Sequence, residues 1–134
     1  MSFSVPTGNF GNVFAGYGAQ RMGVPIDQFV IGSNVNDILT RFLETGTMRM
    51  DGVEPTLSPS MDIQISSNFE RLLFELYGRD GAAVVEAMTQ FRYEGSFTVD
   101  ADRRGLLTEH WSGARIDDEA TKAKVCVLGS TVAS

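Results

Sequence analysis

One cysteine, one histidine, two lysines and four prolines are all that 134 residues hold of these types, and each scarcity excludes something. Cys126 has no second cysteine to form an internal disulfide, and with His110 as the only histidine there is no Cys/His zinc cluster. Acids outnumber bases seventeen to eleven, and the net charge of −6 argues against a phosphate-backbone partner such as nucleic acid. No stretch approaches the roughly 18 consecutive apolar residues of a membrane span. The opening Met1-Ser2-Phe3-Ser4 carries neither a basic region nor an apolar signal core, so export is not expected and the cytoplasm is the expected location. What remains is 43% hydrophobic and 21% charged, an ordinary globular composition in a chain of one-domain length.

Glycine is not scarce, and its densest use comes early, in "SVPTGNFGNVFAGYGAQRMG" from Ser4 to Gly23. Phe3 to Pro6 predicts a short strand running into the glycine loop. Asn12 is placed to cap a helix in which Val13, Phe14, Tyr17 and Arg21 recur at helical spacing. Gly16 and Gly18 each cost that helix roughly 1 kcal/mol against alanine, so a close approach of the helix to a sheet is expected. The apolar run Gln28 to Ser33 reads as a strand buried on both faces. A helix capped by Asn34 or Asn36 and stopped at Gly46 follows it. Strand, helix, strand, helix within so short a span is a parallel α/β unit, and the expected fold class is α/β with parallel strands and flanking helices.

Further along, "RMDGVEPTLSPSMDIQI" predicts mostly loop. Ser67 and Glu70 have capping-box spacing ahead of an apolar stripe of Phe69, Leu72, Leu73, Leu76 and Tyr77, closed by Gly78. Asp80 starts another helix through Met88 and Phe91, and "GSFTVD" reads as a short strand. Asp117, Asp118 and Glu119 suit the positive end of a last helix, and His110 and Trp111 read as packing residues.

A glycine-rich turn between a strand and a helix lines up backbone N–H groups at the helix's positive end, an arrangement that binds phosphate. Gly8 and Gly11 allow close approach of an anion, and the Asn9 and Asn12 amides add donors. Neither the G-x-G-x-x-G fingerprint nor a P-loop fits, and an ordinary capped turn is the alternative.

Three blocks, "SVPTGNFGNVFAGYGAQRMGVPI", "SNVNDIL" and "TLSPSMDIQISSNFERLLFEL", resemble in order and distance the middle of threonine synthases of the bacterial and fungal type. The resemblance is close over residues 3–95 and looser to about 122. It implies a piece of a fold type II enzyme that uses pyridoxal phosphate and converts O-phospho-L-homoserine and water to L-threonine and phosphate. In that family the loop matching Gly8, Asn9, Phe10, Gly11 and Asn12 cradles the cofactor phosphate, with Thr7 at its entrance. Asn34 and its neighbours Ser33 and Asn36 lie just past a strand end, where open α/β sheets place ligand contacts, with helix capping as the alternative. Ser58, Ser60 and Asp62 suit a pocket for the phosphate-bearing substrate, with a plain turn around Pro59 as the alternative.

The family's cofactor-binding lysine lies in a Phe-Lys-Asp stretch upstream of the glycine loop, and neither Lys122 nor Lys124 matches it. Both read as members of a solvated helix face. The chain is therefore expected to be an internal fragment, inactive by itself and prone to self-association. Residues 3–46 form its phosphate-binding unit, 47–134 a mixed helical region, and the stretch from about 123 departs from the family. The rival reading is a non-catalytic phosphate-ligand-binding or regulatory module.

Overall fold

The computed structural model describes residues 1–123; Lys124, Cys126 and nearly all of the divergent tail lie outside them. Three parallel strands form the main sheet in the order β1 (Ser2–Pro6), β2 (Gln28–Ser33) and β5 (Trp111–Arg115). Register pairs Phe3 with Phe29 and Phe29 with Trp111 across the sheet. Helix α1 (Gly11–Arg21) links β1 to β2, and α2 (Ile38–Thr45) follows β2. The expected mixed α/β fold of parallel strands with flanking helices is what forms.

α1 and α2 both meet the face of β2 that carries Phe29, Ile31 and Ser33. Gly16 of α1 sits where a Cβ would lie 2.8 Å from the Phe29 ring, and the Ser33 and Thr40 hydroxyls are 2.9 Å apart. Burial along β2 alternates as a result, with Val30 on the other face only half-buried, so the strand is not fully covered on both faces within the described residues. The close approach expected of Gly16 is real. Gly18, by contrast, has open space around its Cβ position.

A second, antiparallel ribbon pairs β3 (Thr47–Arg49) with β4 (Ser96–Thr98), placing Met48 opposite Phe97. Between them run a 3₁₀ turn at Pro59–Met61, α3 (Phe69–Leu76) and α4 (Gly81–Glu94). The α3 stripe buries Phe69, Leu72 and Leu73, with Leu76 and Tyr77 packed at its margin. Gly46 and Gly78 end their helices in the left-handed conformation that glycine tolerates without a Cβ penalty. Asp80 caps α4 by accepting from the N–H groups of Ala82 and Ala83.

Three expected caps move. α1 is preceded by Phe10 and not Asn12, α2 by Asp37 and not Asn34 or Asn36, and α3 by Asn68, leaving the Ser67–Glu70 box unformed. α5 (Ala101–His110) and β5 go beyond the sequence reading, as does β3. Asp117 caps a last helix that is described over 118–123 by accepting from the Ala120 N–H at 2.8 Å, and Lys122 is exposed on it.

A ladder of rings ties the sheet to the ribbon. Trp111 stacks on Phe29 and on Phe10 at centroid separations of 4.9 and 5.4 Å. Phe69 meets Phe10 and Phe42 edge-on, and Phe97 joins Phe42 to Phe91. Such aromatic pairs add about 0.5–1.5 kcal/mol each beyond the area they bury.

Two consequences are testable. A Cβ at Gly113 would lie 2.6 Å from Thr40 Cγ2 and 2.9 Å from Thr40 Cα, so Gly113→Ala forces β5 and α2 apart. Denaturant titration should show a loss of about 1–3 kcal/mol, whereas Gly18→Ala should be neutral or stabilise by about 1 kcal/mol. Equal effects would contradict the packing described. Asp100 caps α5, and its carboxyl is held below the ordinary range chiefly by the Arg103 N–H that it accepts, against the cost of burial. Because folding favours the charged form, this contribution is complete above about pH 4 and fades as pH falls through the lower folded value. Stability measured from pH 5 down to pH 2 should therefore fall less steeply in Asp100→Asn.

Candidate functional site

The loop Thr7–Asn12 joins the C-terminal end of β1 to the first turn of α1. Its shape comes from two side chains bonding their own backbone. Thr7 Oγ1 accepts from the Phe10 N–H at 3.1 Å, and Asn9 Oδ1 accepts from the Gly11 N–H at 2.9 Å. The Thr7 N–H is bonded to the Gly32 carbonyl, which pins the loop's entrance to β2.

Between these turns the chain reverses at Phe10, whose φ of 65° is left-handed. That conformation costs a residue with a Cβ about 1–3 kcal/mol. Compensation comes from the ring, which is fully buried between Trp111 and Phe69. Neither loop glycine has the positive φ that its residue type suggests. Gly8 is required for packing instead, since a Cβ there would lie 2.8 Å from the Ser60 carbonyl oxygen and 2.9 Å from Ile63 Cδ1.

The backbone N–H groups of Gly8, Asn9, Asn12 and Val13 have no hydrogen-bond partner among the described residues. They belong to the positive end of α1, whose first turn holds no acidic side chain. The chemistry of this donor set fits an anion with several acceptor oxygens, such as phosphate. The exposed Asn12 side chain stands at the same end of the helix.

The other sequence-derived positions gather just beyond β2. Asn34 Nδ2 donates to Asp62 Oδ1 at 2.7 Å and to Thr56 Oγ1 at 2.9 Å. Asn36 Nδ2 donates to the same Asp62 oxygen at 3.0 Å and to the Glu54 carbonyl at 2.8 Å. Asn34 and Asn36 therefore hold the 54–62 segment and do not cap α2. Burial opposes ionisation of Asp62, but the donors from Thr56, Asn34 and Asn36 outweigh it and hold the carboxyl below its usual range. Ser60 is exposed, its carbonyl against Gly8, while the half-buried Ser58 gives its N–H to Thr56 Oγ1. Ser33 is bonded to Thr40. Thr56 is the member of this cluster that sequence reasoning missed, and a lone threonine in a loop carries no signal of it.

Arg115 closes the same end of the sheet. Paired with Ser33 in register, it donates to Asp37 Oδ2 at 2.9 Å, and Arg41 Nε donates to the other oxygen of Asp37 at 2.8 Å. The loop, the Asn34–Asp62 cluster and this ion pair all lie at the C-terminal ends of parallel strands, where open α/β sheets bind ligands. Among the described residues no cluster of His, Cys, Asp and Glu could hold a metal ion, and no helix is long and apolar enough to cross a membrane.

The chain matches no protein-family model. It is 47% identical over 121 residues to threonine synthase of Pseudomonas aeruginosa, covering 90% of this chain and 26% of that protein. The structure of a PLP-bound threonine synthase from Brucella melitensis superimposes with a TM-score of 0.85 at 55% identity, covering 87% of this chain and 25% of that one. The yeast threonine synthase structure gives a TM-score of 0.82 at 41% identity, covering 88% of this chain and 26% of that one. In sequence and in fold, the chain is homologous to a segment of threonine synthase about one quarter of that enzyme's length.

Proposed function

We propose that this chain is the phosphate-holding segment of a pyridoxal-phosphate-dependent threonine synthase, a lyase of threonine biosynthesis acting in the cytoplasm. The proposed reaction converts O-phospho-L-homoserine and water to L-threonine and phosphate. The observation that carries the reading is the loop Thr7–Asn12, whose unpartnered amides at the mouth of α1 fit a phosphate group. The likeness to a PLP-bound enzyme supports pyridoxal phosphate as its bearer.

The cofactor, when bound, supplies an electron sink for carbanion chemistry. What this chain's residues do is hold it. The amides of Gly8, Asn9 and Asn12 would grip the phosphate, with that of the buried Val13 behind them, Thr7 and Asn9 would keep the loop's two turns closed, and Phe10 would anchor it to the core. The phosphate-binding unit is residues 3–46. Asn34, Ser60 and Asp62, at or against the same end of the sheet, form the proposed substrate side of the site, Ser60 exposed toward it and Asn34 and Asp62 shaping it through their bonds to each other and to Thr56.

By itself the chain is expected to bind without turnover, a reading supported by the exposed position of Lys122, the only lysine among the described residues. Self-association of the isolated chain is part of the same proposal. It is supported by β1, a sheet-edge strand with Phe3 44% exposed.

Titrating the isotopically labelled chain with pyridoxal phosphate tests the reading. The amide resonances of Gly8, Asn9, Asn12 and Val13 should shift together, and pyridoxal without its phosphate should leave them in place. Gly8→Val, which drives a side chain into Ser60 and Ile63, should weaken binding by at least about tenfold, while Gly18→Ala should bind as the parent does. Loop amides that respond alike to both compounds, or to neither, would contradict a phosphate cradle.

A further inference from the structure

Asp62 follows the 3₁₀ turn directly, and its carboxylate gathers separate pieces of chain. Oδ1 accepts from Asn34 Nδ2, Asn36 Nδ2 and Thr56 Oγ1 at 2.7, 3.0 and 2.7 Å, and Oδ2 accepts from the Thr56 N–H at 2.8 Å. Every donor is uncharged, and a carboxylate is the one side chain that accepts from all of them without offering a donor in return. The residues flanking this hub, Ser60 and Ile63, are the ones that press on Gly8. Asp62 thereby joins the end of β2 and the 54–56 stretch to the wall behind the glycine loop.

We propose that Asp62 is a positioning residue for the phosphate loop: it holds the Ser60–Ile63 wall against Gly8 and so fixes where the Gly8 and Asn9 amides stand. Its oxygens are occupied by protein donors, so it acts without touching the anion. Asn34 and Asn36, which bring two of those donors from the strand end, extend the same device. The inference rests on the reading of Thr7–Asn12 as an anion cradle.

Replacing Asp62 by asparagine keeps the shape but turns an NH₂ toward a donor, setting donor against donor within a half-buried cluster. Thr56→Val removes the hydroxyl that donates to Asp62 and accepts from Asn34 Nδ2 and the Ser58 N–H, and Thr56→Ser restores it. The experiment titrates inorganic phosphate, which forms no covalent adduct with lysine, into the labelled 134-residue chain and its variants. Amides of residues 8–13 are followed, with those of α4 as the reference for intact fold.

Parent and Thr56→Ser should give the same loop response within about twofold. Asp62→Asn and Thr56→Val should need about tenfold more phosphate while the α4 resonances stay in place, a loss equivalent to one hydrogen bond to a charged group. If Asp62→Asn does not fold, the Thr56 pair decides. Parent-like phosphate affinity in Thr56→Val, or in a folded Asp62→Asn, would overturn the positioning role and leave the cradle standing. A parent chain whose loop ignores phosphate would overturn the cradle, and the positioning role with it.

Discussion

The packing of Phe10 between Trp111, on which it stacks, and Phe69, which it meets edge-on, is the constraint on which the site depends. A phenylalanine at φ 65° is strained, and its backbone stays there because leaving would pull a fully buried ring from the core. Phe→Ala changes in cores cost about 3–5 kcal/mol, more than the left-handed backbone costs, so the ring decides the loop's shape. A glycine there would remove the strain and, with it, the anchor. The loop is thus rigid because of its one large residue, and its glycines serve the packing around it.

That anchor also connects the site to both halves of the fold. Trp111 belongs to β5 and stacks on Phe29 of β2, while Phe69 opens α3 and touches Phe42 of α2. A displacement of any of these elements reaches Phe10 through close-packed rings, where interiors yield little. Behind the loop the Asn34–Thr56–Asp62 cluster gives a second, polar support, pressing Ser60 and Ile63 on Gly8. One side of the loop is held by aromatic packing and the other by hydrogen bonds to a carboxylate. A preorganised cradle of this kind binds an anion without first paying to order itself.

Much of the arrangement was legible because it is written locally. The strand, glycine loop and helix at the start, the α3 stripe, the Asp80 cap and the Gly46 and Gly78 stops all rest on residues within a turn or two of each other. The failures have a common cause in partners distant along the chain. Asn34 and Asn36 read as caps of α2, but their side chains are claimed by Asp62, Thr56 and Glu54, eighteen or more residues away. β5, "WSGAR", lacks an apolar alternation and is a strand because β2 supplies its ladder and Gly113 lets Thr40 come close. α5 carries only Leu107 as a buried residue and has Gly105 in its middle, so its period is faint. The loop's left-handed residue is Phe10 and neither glycine, because burial of a ring outweighs local preference.

The stability and loop structure of Phe10→Gly test this account most directly, since glycine relieves the backbone strain and deletes the aromatic anchor in a single change. If ring burial governs the loop, the variant should lose about 2–4 kcal/mol in denaturant unfolding despite the relief of strain, and the amide resonances of Gly8 to Val13 should collapse toward random-coil positions. A variant as stable as the parent, with those resonances unchanged, would show that the loop holds its shape without Phe10 and would contradict the account.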